Sequence, residues 1–159
     1  MFPGGPRPAM AGKNKITRGQ YEMLAEFRYA LRKFLRFSED AAQAAGLTPQ
    51  QHQAMLAIKG FTGGRQINIG ELAERLQILH HSAVGLVNRL VTEKYVRRLH
   101  DPKDRRHVNL TLTSRGEAVL EKLSATHREQ LHRMGPQINQ LLESLQQGNF
   151  PGTREKETD

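Results

Sequence analysis

From residue 18 to 45 the apolar side chains Tyr21, Leu24, Phe27, Leu31, Phe34 and Leu35 recur at the spacing of one helix face. The pattern predicts a helix from about Arg18 to Ala45, stopped by Gly46, a residue suited to the left-handed turn after a helix. Leu47-Thr48-Pro49-Gln50-Gln51 opens a second helix. Thr48 caps it, Pro49 suits the first helical position, and Gln51 stands where a capping box needs its reciprocal side chain. That helix carries Met55, Leu56 and Ile58 and ends near Gly60, and Gly63-Gly64 marks a turn. Gln66 to Ile69 is short and β-like, and Gly70 is an acceptable cap for a third helix, Glu71 to Leu76. After a break at Gln77–Leu79, a fourth helix is expected from about His80 to Lys94, with Ala83, Leu86, Val87, Leu90 and Val91 as its apolar positions.

Tyr95 to His100 is strand-like, Asp101-Pro102-Lys103-Asp104 is a turn signal, and Val108 to Leu112 alternates apolar and polar at period two. These runs predict a hairpin with Arg105-Arg106 at a basic tip. Thr113 or Ser114 caps a long helix carrying Val119, Leu120, Leu123, Leu131 and Met134, and Ser114-x-x-Glu117 fits a capping box. Gly135-Pro136 is expected to break or kink it, leaving a last helix with Ile138, Leu141, Leu142 and Leu145 that ends before Gly148. The expected fold is mainly α with a small β-wing: a winged helix-turn-helix between long N- and C-terminal helices. The expected organisation is a disordered Pro/Gly-rich arm over 1–17, one domain over 18–147 and a flexible tail over 148–159. Within the domain, long helices over 18–46 and 115–147 flank a helix-turn-helix lobe over 47–114.

Charge narrows the partners. Lys plus Arg number 24 against 16 Asp plus Glu, a formal net charge of +8. Nucleic acid and an anionic membrane surface both suit that balance, as does a protein that is simply basic. The chain has no Cys, which excludes disulfides, thiolate metal sites and thiol redox chemistry. No stretch approaches 18 apolar residues, and MFPGGPRPAMAGKNK lacks the apolar run of a signal peptide, so the expected location is cytoplasmic.

The position of the basic residues favours DNA over a membrane. A helix-turn-helix sets its second helix in the major groove, which admits a helix and displays a distinct pattern for each base pair. The face of the fourth helix opposite its apolar stripe carries His81, Ser82, Gly85, Asn88, Arg89 and Thr92. These are hydrogen-bonding groups plus one residue small enough for close approach; a merely solvated face would look similar. The hairpin concentrates Lys94, Arg97, Arg98, Lys103, Arg105 and Arg106 against Asp101 and Asp104. Arginine at a hairpin tip suits a narrow minor groove, and Asp104 is placed to hold the Arg106 guanidinium extended. A membrane-surface protein would instead place Lys and Arg beside a strongly apolar helix face.

The segments LTPQQHQAML, IGELAERL, VNRLVTEKYVRR and, above all, DPKDRRHVNLTLTSRG resemble the MarR-type winged-helix regulators. The resemblance runs from about Leu47 to Leu120 and more loosely over the flanking helices. It implies that His80 to Arg89 form the recognition helix, that Arg106 enters the minor groove with Asp104 as its support, and that the long terminal helices interlock in a homodimer. Such a dimer would bind a pseudo-palindromic double-stranded site, with recognition helices roughly 34–36 Å apart. The chain also departs from the family's commoner pattern. A Ser-Pro-Ser-Thr-like helix start is replaced by Leu79-His80-His81-Ser82, Gly85 stands where Arg or Lys is common, and Lys94-Tyr95 replaces a Gly-hydrophobic turn. For His80 and His81 three roles stay open: reading bases, touching phosphates, or packing on the neighbouring helix.

The resemblance further implies a small aromatic or anionic effector between the dimer helices and the DNA-binding lobe. Candidate lining residues are Phe27, Arg28, Leu31, Arg32, His52 and Met55, with Arg28 or Arg32 pairing a carboxylate; core packing and solvation explain the same residues. No catalytic residue, cofactor or metal site is expected. His127 and His132 are five apart and do not share a helix face, and no phosphate-binding glycine loop or nucleophile elbow occurs. The expected function is sequence-specific regulation of transcription, as a repressor released by an effector. The alternative is a winged-helix architectural or protein-interaction module without effector response.

Overall fold

A computed structural model describes residues 15–62, 64–104 and 106–148. Most of the arm and tail, 1–14 and 149–159, and the wing residue Arg105 lie outside the described residues. The elements are α1 (Arg18–Ala44), α2 (Pro49–Lys59), β1 (Ile67–Asn68), α3 (Ile69–Leu76), α4 (His80–Thr92), β2 (Val96–His100), β3 (Val108–Leu112) and α5 (Ser114–Gln147).

Local chemistry fixes where the helices begin. Capping boxes open α1 at Thr17 with Gln20, α2 at Thr48 with Gln51, and α3 at Asn68 with Glu71. The cap of α3 is therefore Asn68 rather than Gly70. Asn68 does two jobs, pairing with Asn109 across the β1–β3 ladder while its side chain accepts from the Glu71 N–H at 2.9 Å. At α5 the cap is Thr113, which accepts from the Gly116 N–H at 3.1 Å. The third helical residue there is Gly116, so no reciprocal side chain exists, and Glu117 instead pairs with Lys59 at 2.5 Å.

Helix exits follow one hydrogen-bond scheme three times. The N–H groups of Leu47, Ile78 and Tyr95 reach back to the carbonyls of Ala42, Ala73 and Leu90. The residues just before them, Gly46, Gln77 and Lys94, have φ of 79°, 53° and 63°. Helix α4 thus ends at Thr92, two residues earlier than expected, because Lys94 takes the left-handed turn more often given to glycine.

The sheet order is β1-β3-β2, antiparallel throughout, with Val96 opposite Leu112 and Arg98 opposite Leu110. Its inner face joins Met55, Ile67, Leu72, Leu86, Val87, Leu90 and Leu120 in one core. The long helices stand largely outside that core: α1 buries only Met23, Ala30 and Ala42 of its 27 residues. Helix α5 runs unbroken through Pro136. Proline there removes a single donor, the one aimed at the His132 carbonyl, while Met134 before it is buried and Ile138 after it is half-buried. The expected break at Gly135-Pro136 does not occur.

Candidate nucleic-acid interface

Helix α4 buries Ala83, Leu86, Val87 and Leu90 against the core and turns His80, His81, Ser82, Asn88, Arg89 and Thr92 outward. Gly85 lies on the same outer face, and a Cβ placed there would meet nothing within 4 Å. The helix starts without a side-chain cap, at Leu79, which is 67% exposed. Its first-turn N–H groups therefore face outward beside His81 and Ser82 without a side-chain acceptor at the cap.

The wing is built by aspartates acting on backbone. Asp101 accepts from the Lys103 N–H at 2.8 Å, and Asp104 accepts from the Arg106 N–H at 3.0 Å. Asp104 thus shapes the turn carrying Arg106 and does not hold the guanidinium, which was its expected part. Its second oxygen lies 3.6 Å from His107 Nδ1. Both turns leave Lys103 and Arg106 exposed at the tip, and Arg97 is exposed on β2. Among the described residues Arg89, Lys94, Arg97, Lys103 and Arg106 enter no ion pair. By contrast, Arg65 pairs with Glu71, and the Phe61 ring lies under Arg65 and Arg75 at 5.7 and 4.8 Å. Those two cations are engaged within the lobe.

Helix and wing meet at two places. Near the start of α4, a concavity of about 390 Å³ is lined by Asn68, Ile69, Gly70, His80, Arg106, His107 and Val108. Near its end, the half-buried Arg98 of β2 donates to Asn88 Oδ1. The outward face of α4 and the free cations of the hairpin therefore form one continuous basic surface with no acidic side chain on the α4 part.

The six effector candidates are placed differently from one another. Arg28, Leu31 and Arg32 are exposed on α1, Phe27 is half-buried, and Met55 is wholly buried in the core with no surface to offer a ligand. His52 is buried, its ring stacked on that of His127 with centroids 4.7 Å apart. Phe34 and Phe37 present their edges to the same His127 ring at 6.1 and 5.8 Å. His127 Nδ1 lies 2.5 Å from the Leu123 carbonyl and Nε2 lies 2.7 Å from Ser38 Oγ. A carbonyl only accepts, so Nδ1 carries a proton, and in the neutral ring Nε2 accepts from the Ser38 hydroxyl. This histidine pair joins α1, α2 and α5 and leaves no signal in the sequence, where the two residues stand 75 positions apart without a shared pattern.

Residues 45–107 match a family model described as the MarR family. The chain is 32% identical over 84 residues to the transcriptional activatory protein BadR of Rhodopseudomonas palustris, covering 53% of this chain and 48% of that one. It is 27% identical over 86 residues to the HTH-type transcriptional repressor MdtR of Bacillus subtilis, covering 54% of each. The chain thus spans about half the length of the curated relatives it matches. Among solved structures, a mutant of MarR from E. coli complexed with operator DNA superposes with a TM-score of 0.59 at 21% identity, covering 78% of this chain and 93% of that one. At that identity the likeness concerns the fold: a winged helix-turn-helix flanked by long helices.

Proposed function

We propose that this chain, whose residues 45–107 match the MarR family model, is a sequence-specific double-stranded-DNA-binding regulator of transcription that acts as a homodimer. The observation that carries the reading is the junction of α4 with the wing. His80 and Arg106 line one concavity at the start of the helix, and Asn88 is linked to Arg98 near its end. A helix in the major groove and an arginine at the adjacent minor groove require that arrangement. The MarR mutant of similar fold is complexed with operator DNA, which supports the same placement.

The dimer reading rests on exposed apolar side chains of the long helices: Tyr21, Leu24, Leu31 and Leu35 on α1, Leu131 and Leu142 on α5. Residues 18–46 and 115–147 would supply the dimer helices and 47–114 the reading lobe. Repression by occupancy of a promoter site needs no further module, and we favour it; one matched relative is named an activator and another a repressor. Release by a small aromatic or anionic effector belongs to the same reading, with the exposed Arg28 and Arg32 as its anion contacts, as does a cytoplasmic location.

The test is fluorescence anisotropy of DNA from upstream of the protein's own gene against a scrambled duplex across a salt series. Preferential binding by two subunits per site is expected, with log affinity falling by about 0.9 per neutralised phosphate for each decade of salt. Equal, weak binding to both duplexes with little salt dependence would overturn the reading in favour of a protein-interaction module.

A further inference from the structure

The outward face of the recognition helix carries its one arginine, Arg89, toward the helix end and no basic side chain at its centre. Gly85 offers no side chain at the centre of its outward face, and a Cβ there would touch nothing within 4 Å, so no packing within the subunit calls for glycine. A glycine inside a helix is unfavourable unless something outside needs the room. One turn further along the same face stands Asn88.

Asn88 is not free to rotate. Arg98 projects from β2 on the same side of the sheet as its cross-strand partner Leu110, which is buried, and its guanidinium donates to Asn88 Oδ1. Guanidinium has five donors and no acceptor. The amide oxygen must therefore face Arg98, and the Nδ2 amino group is the end left for a partner. The main chain at this point is also engaged, since Thr92 Oγ1 donates to the Asn88 carbonyl at 2.9 Å.

Resting on the reading of this chain as a DNA-binding regulator, we propose that Asn88 and Arg98 act as a single donor unit that selects guanine at one position of each half-site. Asparagine in its usual readout takes adenine with both ends of the amide, accepting from N6 and donating to N7. Here the accepting end is occupied by a cation, and an approaching adenine amino group would meet a positive charge. Guanine presents two acceptors, O6 and N7, on the same edge. A donor amino group backed by a guanidinium matches that edge. The open space at Gly85 lets the base approach the helix closely enough for Asn88, a short side chain, to reach it. Specificity would then come from a neutral side chain polarised by a wing residue, with no basic residue on the outward face at position 85.

The experiment is selection of the full chain on duplexes carrying a randomised core two helical turns long, followed by sequencing. The wild-type protein and the variants Asn88→Asp, Asn88→Ala and Arg98→Met are compared, and thermal melting checks their fold. The wild type is expected to enrich guanine at one position per half-site, roughly ten- to hundredfold over adenine. Asn88→Asp is expected to move that preference to cytosine, whose N4 amino group donates to a carboxylate, with all other positions unchanged. Arg98→Met, which releases the amide oxygen, is expected to admit adenine beside guanine. Identical selected sequences for the wild type and Asn88→Asp would overturn the proposal and leave DNA reading intact. If the wild type enriches no sequence, the functional reading falls and the proposal with it. Should Asn88→Asp melt normally yet bind nothing, Asn88→Ala decides. Loss of preference at that one position supports the proposal, and a uniform loss over all positions overturns it.

Discussion

The carbonyl oxygen of Tyr95 lies where a side chain at position 116 would have to go: a Cβ on Gly116 would come within 2.2 Å of it. Thr113 closes the same joint, its N–H donating to that carbonyl at 3.0 Å and its hydroxyl to the Lys94 carbonyl at 2.6 Å. The first turn of α5 is thereby fixed to the base of the wing. Gly116→Ala must displace backbone, and we expect a loss of about 1–3 kcal/mol of stability. Gly85→Ala meets open space and should gain about 1 kcal/mol of helix propensity. Thermal unfolding followed by circular dichroism should give shifts of opposite sign for the two glycines; equal shifts would refute this account of both.

Lys94 holds a φ of 63° to end α4, a conformation that costs a residue bearing a Cβ about 1–2 kcal/mol. Lys94→Gly removes that cost, so the melting temperature should rise although a charge and a side chain are lost. A fall would mean that the lysine side chain contributes more than the turn costs.

Stability should depend on the protonation of His52. Burial first, and the neighbouring His127 second, hold its imidazole below the usual value of about 6.5. The unfolded chain therefore takes up this proton more readily than the folded one. The contribution is flat above about pH 6.5 and is lost as the pH falls through that value toward the lower folded one. Replacement by an uncharged ring, His52→Phe, should flatten that part of the stability profile. Denaturant melts at several pH values compare the two proteins, and parallel profiles would assign the acid sensitivity elsewhere.

Arg106 is exposed at the wing tip and is held there through its backbone N–H alone. If the chain binds DNA as proposed, Arg106→Ala should cost about 1–3 kcal/mol of site affinity at an unchanged melting temperature. Full affinity in the anisotropy titration would remove the wing from the interface.

Leu35 is 51% exposed on α1, a poor position for a leucine in a lone subunit. Leu35→Asp should shift the protein toward monomer in sedimentation velocity. An unchanged dimer would place the contact on another face of the long helices.

Much of this architecture can be read from the chain because its signals are local. Thr48, Pro49 and Gln51 mark the start of α2 to the residue, and the basic hairpin follows from an Asp-Pro turn between alternating runs. Where two signals compete, the sequence misleads. Asn68 belongs to a strand and to a cap at once, and its reciprocal bonds with Glu71 three residues on make it, not Gly70, the start of α3. Thr17 caps α1 from within a stretch assigned to the arm. Pro136 reads as a break because its lost hydrogen bond is local, whereas the packing that carries α5 past it is tertiary. In the site, the outward face of α4 follows from helical phase. The Asn88–Arg98 bond and the His52–His127 stack do not, because each depends on how separate elements dock.

The unbroken α5 also sets a scale for angular change. Its 34 residues span about 50 Å at 1.5 Å per residue. Its first turn is locked to the wing by Gly116 and Tyr95, while the remainder lies along α1. A rod of that length anchored at its far end converts a tilt of about 4° into roughly 3.4 Å at the reading head, the rise of one base pair. For a regulator that sets two such heads on one duplex, as proposed, a rotation of a few degrees is enough to put them one step out of phase.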